Sequence, residues 1–149
     1  MASFNKTLIK LRKQLIQAVY ATKVNGIGAN KWRNVESVED SGINKSRSFD
    51  VSLDKEQTPM GDSLMVGANT NEYNIYFNLN IVYANDFNGT ATGLGDYNEL
   101  SCAFRAISSS SITGLNFIRV DELQWLDDED NEEIQYLVIP LMVRVSVPK

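Results

Sequence analysis

From Tyr73 to Tyr83 the chain alternates with a period of two: Tyr73, Ile75, Phe77, Leu79, Ile81 and Tyr83 fall on one side, and Asn74, Tyr76, Asn78 and Asn80 on the other. A strand sends successive side chains to opposite faces, so this run predicts a long strand with one core face and one wet face. The wet face is rich in amides, an unusual surface for a helix to cover, and is expected to meet water or a partner. Ile134 to Val147 predicts a second long strand, with Leu137, Ile139, Leu141, Val143, Val145 and Val147 on one apolar face. Pro140 within it cannot donate to a ladder, which predicts an edge, a bulge or a side turned away from the partner strand. Phe49, Val51 and Leu53, alternating with Asp50 and Ser52, predict a shorter strand.

Two segments switch to the helical period. Over Asn5 to Thr22, Leu8, Leu11, Leu15 and Val19 form an apolar stripe widened by Ile16, with Lys6, Lys10, Lys13 and Gln17 on other faces; Ser3 or Asn5 is the expected cap. Tyr97, Leu100, Phe104 and Ile107 mark a second helix, entered through Asp96 and Glu99 as an acidic capping box and ending in the serines at 108–111. Asn85 to Gly95 reads as a turn-rich link before it. A strand is expected around Leu115 to Leu126, followed by an acidic turn from Asp127 to Glu133. Two stretches have no sustained period: 25–48, where Trp32, Val35 and Val38 suggest a short element against the core, and Asp54 to Asn71, where Pro59, Gly61 and Gly67 surround Leu64, Met65 and Val66. Loops beyond about 12–15 residues are uncommon in compact domains and are usually functional or disordered. The whole predicts a single α+β domain over 1–149: a two-layer sandwich, mainly antiparallel sheet, with two helices on one face and long loops.

Composition excludes more chemistry than it suggests. The chain has no histidine, which removes the commonest general base and metal ligand and every Ser-His or Cys-His nucleophile pair. Gly26-Ile27-Gly28 lacks the third glycine of a dinucleotide fingerprint, and Gly93-Leu94-Gly95 lacks the lysine of a phosphate loop; both read as turns. The acidic run 127–133 lacks the glycine of a helix-loop-helix calcium site and reads as a solvated hairpin tip. Cys102, the one cysteine, excludes an internal disulfide and reads as a small buried hydrophobe. No catalytic residue, cofactor or metal is expected, and the chain reads as a non-enzyme. No run approaches the roughly 20 apolar residues of a membrane helix, and the interrupted amino terminus does not read as a signal peptide. The protein is therefore expected to remain in the cytosol where it is made.

Charge is segregated. Residues 1–35 hold seven basic and no acidic side chains, while the remainder holds the other seven basic and all nineteen acidic ones, so the two parts carry +7 and −12. Opposite patches of this kind meet within a subunit or head to tail between identical neighbours. Lys6, Lys10 and Lys13 on one side, and Asp127, Asp128 and Asp130 on the other, are the candidate assembly contacts. An acidic chain with pI ≈ 4.7 and no recognition motif does not read as a sequence-specific nucleic-acid binder.

The succession LIKLRKQLIQAVY, YNIYFNLNIVYAN, DYNELSCAFRAI and the closing NFIRVDELQWLDDEDNEEIQYLVIPLMVRVSV resembles the tail terminator or tail completion proteins of tailed bacteriophages. These are neck subunits that cap the tail tube and join it to the head. The resemblance implies a virion protein forming a ring, typically a hexamer, with tail tube and head connector as partners and DNA as passing cargo. It also makes Leu64, Met65 and Val66 candidates for a neighbour or tube contact. Other readings of the same pattern are another virion subunit, such as a head completion or tail tube protein, a cytosolic adaptor binding peptide at a sheet edge, and a histidine-free enzyme.

Overall fold

The computed structural model describes residues 2–22, 31–39, 46–54, 65–66, 70–107, 112 and 114–148. The element order is α1 (Ala2–Ala21), β1 (Arg33–Asn34), β2 (Ser48–Leu53), β3 (Met65–Val66), β4 (Thr70–Ala84), α2 (Phe87–Arg105), β5 (Leu115–Val120), β6 (Gln124–Asp127) and β7 (Ile134–Pro148). Among the described residues these strands form one sheet in the order β1-β2-β4-β7-β5. All pairings are antiparallel except β1 with β2. Both helices pack on the same face, so the chain is the α+β sandwich its periodicities predict.

The two long alternating runs form the centre: β4 and β7 pair along their whole length, from Thr70↔Pro148 to Ala84↔Ile134. Their apolar faces coincide, which places Ile75, Leu79, Ile81, Leu137, Ile139 and Val143 at zero exposure beneath Leu11, Leu15 and Val19 of α1 and Leu100 and Phe104 of α2. Fully burying such a side chain stabilises by about 1.5–3 kcal/mol relative to exposure, so this layer dominates the fold. The other side of β7 is shared end to end by β5 and β6. The split falls at Pro140, whose carbonyl accepts from the Asp121 N–H at 2.9 Å. A residue's N–H and C=O point the same way in a strand, so the missing donor of Pro140 faces this gap and costs the β4 ladder nothing.

Four sequence expectations are corrected. The helix expected from Asp96 begins at Phe87: Asp86 is its cap, accepting from the Gly89 N–H at 2.7 Å. The glycines of the supposed link, including Gly93-Leu94-Gly95, lie inside this helix because two of them allow close approach. A Cβ on Gly89 would lie 1.9 Å from the Ala84 carbonyl oxygen, and one on Gly93 would lie 2.4 Å from the Trp125 ring. Cys102 falls on the outward stripe of α2 and is exposed rather than core. At the amino end α1 already starts at Ala2, so Ser3 and Asn5 lie within it instead of capping it. Within the stretch Asp54 to Asn71, Met65 pairs with Glu72 and Val66 with Asn71 as β3; Leu64, like Gly26-Ile27-Gly28, lies outside the described residues.

Asp96 has a role that no local pattern announces. Arg47, in a left-handed conformation at φ 65°, reaches its carboxylate with two parallel bonds, Nε–Oδ2 at 2.8 Å and Nη2–Oδ1 at 3.0 Å. The Tyr83 hydroxyl donates to the same Oδ2 at 2.6 Å, and the Arg47 guanidinium stacks 5.7 Å from the centre of the Trp32 ring. All of these groups are buried, which pushes the Tyr83 hydroxyl well above its usual pKa, chiefly through desolvation and then through the neighbouring Asp96 charge. The cluster ties the turn at 46–47, β4 and α2 together.

Candidate assembly surfaces

The face of the sheet away from the helices is only partly covered. Residues 35–38 cross one end of it, where Val38, with Val35 alongside, packs on Val82, Ile134 and Tyr136. The crossing is fixed by Asp50 on β2: its Oδ2 accepts from the Val38 N–H at 2.7 Å and its Oδ1 from the Asn80 amide at 2.7 Å. Both acceptors of a buried carboxylate are thereby used on neutral donors. The amide-rich row predicted on this face is half-buried, and Asn80 shows why: it is a partner for the segment laid over it.

Beside this crossing lie two adjoining hollows that share Glu39, Leu126 and Tyr136. The first, of about 270 Å³, is bounded by Glu36, Asp50, Asn80 and Val138; the second, of about 520 Å³, by residues 127–130. Asp128 organises their common wall. It accepts from the N–H groups of Asp130 at 2.8 Å and Asn131 at 2.9 Å and from the Tyr136 hydroxyl. These bonds hold the Asp128 carboxyl below the usual carboxylate range, the phenol making the largest contribution. Burial, then the Asp128 hydrogen bond, raise the Tyr136 hydroxyl above its ordinary value. Asp127, Glu129 and Asp130 project from the same turn and are exposed, as are Glu36 and Glu39. Leu126, 47% exposed, lines both hollows.

The basic counterpart lies across the sheet. Leu11, Leu15 and Val19 turn one side of α1 to the core, which leaves Lys6, Lys10 and Lys13 exposed on the outward side beside Ile9, itself 69% exposed. None of these lysines has an acidic partner among the described residues. Arg12 is used differently: its Nε donates at 2.9 Å to the Val51 carbonyl on the edge of β2. Lys6, Lys10 and Lys13 therefore sit together on one helix, and Asp127, Asp128 and Asp130 sit together in one turn on the opposite face. Ile9, Leu126, Glu36 and Glu39 were not apparent as part of these surfaces from sequence; an apolar residue among charges of one sign was the available signal.

Among the described residues no group of three or more acidic or cysteine side chains is placed to hold a metal ion. No described helix is long and apolar enough to cross a membrane. Comparison with known proteins finds no family model that matches this sequence and no curated relative of it.

Proposed function

We propose that this chain is a structural subunit that assembles with copies of itself into a ring, as a neck protein terminating the tail tube of a tailed phage and joining it to the head. The observation that carries the self-assembly reading is the placement of lysines with no acidic partner among the described residues on the helical face and of an acidic hollow on the opposite face of one sheet. A layer of buried side chains and a sheet separate the two, so they cannot neutralise each other within one subunit. Opposite, non-identical patches generate heterologous contacts, which close into rings or run on as filaments. The narrower assignment to the neck rests on the resemblance in element layout, with which the two-layer fold is compatible. In that setting the tail tube and the head connector are the partners, and DNA passes as cargo past an acidic protein that repels phosphate. The reading assigns no catalytic residue.

Light scattering coupled to size exclusion, followed by electron microscopy of the purified protein and of particles containing it, tests this reading. Closed rings, hexameric in the family resembled, are expected. A monomer in solution and in particles overturns it; open tubes overturn the terminator role in favour of a tube subunit.

A further inference from the structure

We infer that the outward side of α1 of one subunit docks into the acidic hollow on the next subunit's outer sheet face, with Ile9 seated against Leu126. The inference rests on the reading of the chain as a self-assembling subunit and specifies its contact. Four observations lead to it. The hollow is walled by carboxylates, with no basic side chain among its described lining residues. Most of the other cations among the described residues are engaged: Arg47 with Asp96, Arg119 with Asp121, Arg144 with Asn74 and Arg12 with the Val51 carbonyl. Of the cations not so engaged, Lys31, Arg33 and Arg105 lie on other segments, whereas Lys6, Lys10 and Lys13, spaced four and three residues apart, share one stripe of α1, a helix with no acidic residue. Finally, each patch holds a large exposed aliphatic side chain among its charges, Ile9 on the helix and Leu126 in the hollow.

The pairing has the anatomy of a protein interface, an apolar contact ringed by charge. Removing Ile9 and Leu126 from water supplies the attraction that survives at high salt. The lysines and carboxylates set orientation, because a reversed or shifted helix would move cations off the acidic turn. Asp128, held by Tyr136 and two backbone N–H groups, keeps that turn in a fixed shape, so the acceptor is formed before the helix arrives.

Cross-linking and charge reversal test the contact in the full chain. With Cys102→Ser as background, Ile9→Cys and Leu126→Cys together are expected to give a ladder of disulfide-linked multimers on mild oxidation. Each single variant carries one thiol per chain and is expected to give no cross-link; a disulfide-linked dimer from either one alone, or no ladder from the pair, overturns the contact. Lys6→Glu/Lys10→Glu/Lys13→Glu, and separately Glu39→Lys/Asp127→Lys/Asp130→Lys, are expected to raise the concentration needed for assembly by about tenfold or more. Combining all six in one chain is expected to restore assembly, since every contact again joins opposite charges. Circular dichroism confirms that each variant is folded. Rings that persist in both reversed variants overturn this docking and leave the ring reading standing, whereas a wild-type monomer at every concentration and in particles overturns the ring reading itself.

Discussion

The two faces of β4 and β7 are made by the same strands and obey opposite rules. Toward the helices, every second residue is a large apolar side chain sealed by Leu11, Leu15, Leu100 and Phe104, and the buried Asp96 near that layer is bonded by both Arg47 and Tyr83. Away from the helices, Val82, Ile134 and Tyr136 are covered by residues 35–38 at one end, but the rest of the row holds amides, Tyr76 and Arg144, and the carboxylates at the rim are largely left to solvent. Burial demands that every polar group be satisfied inside the subunit, and exposure removes that demand. The inner face is therefore where stability resides, and the outer face is free to be shaped for contact.

The largest effect is expected from the buried ion pair. Asp96→Ala leaves the Arg47 guanidinium buried without its carboxylate, and loss of about 3–5 kcal/mol in chemical denaturation is expected. Replacing both partners, Arg47→Met with Asp96→Leu, is expected to cost much less, because no charge is left stranded. A single variant no less stable than the double one would show that the pair is not the tie described.

A neighbouring pair of substitutions on β4 sharpens the contrast between faces. Leu79→Ala empties a fully buried site and is expected to cost about 2–5 kcal/mol. Asn78→Ala, one residue away on the outer face, is expected to stay within about 0.5 kcal/mol. Similar losses at both positions would mean that the outer face is core in all but composition.

The smallest effect concerns the Tyr136–Asp128 hydrogen bond on the outer face, and it is read by pH. The folded Asp128 carboxyl lies below its unfolded value, so its contribution is present above the ordinary carboxylate range and is lost as pH falls through the folded value. The folded Tyr136 hydroxyl lies above its unfolded value, so its contribution is complete below about pH 10 and is lost as pH rises through the folded value. Tyr136→Phe is expected to flatten both limbs of a stability-against-pH curve measured by urea unfolding. A variant curve with wild-type slopes would remove this bond from the account.

Legibility from sequence followed the range of the interaction. β4, β7 and α1 announce themselves because one face is buried along their whole length, and period two or 3.6 is the direct result. The start of α2 was hidden, since Gly89 and Gly93 mimic a turn while answering to Ala84 and Trp125, partners that only the fold brings near. Arg47 and Asp96, 49 residues apart, carried no local signal at all, and Asp96 looked instead like a cap. The charged surfaces were half legible: Lys6, Lys10 and Lys13 and the acidic turn stood out as runs, but their positions on opposite faces depend on sheet topology. Cys102 was misplaced because the general tendency of free cysteine to be buried was applied without regard to its position on α2, where it falls on the outward side.

The gap opposite Pro140 bears on how such a protein avoids uncontrolled growth. An uninterrupted fifteen-residue partner beside β7 would offer a long row of unpaired N–H and C=O groups on its far side, a template for any passing extended chain. β5 and β6 instead break that border into runs of six and four residues. At the other border Arg12 occupies the Val51 carbonyl, one of the acceptors that an added strand would need. Short or obstructed borders are how natural sheets resist edge-to-edge aggregation. With edges shortened or obstructed, one subunit can meet another through side chains with specificity, and fibre formation through bare backbone is disfavoured even where the local concentration of identical chains is high.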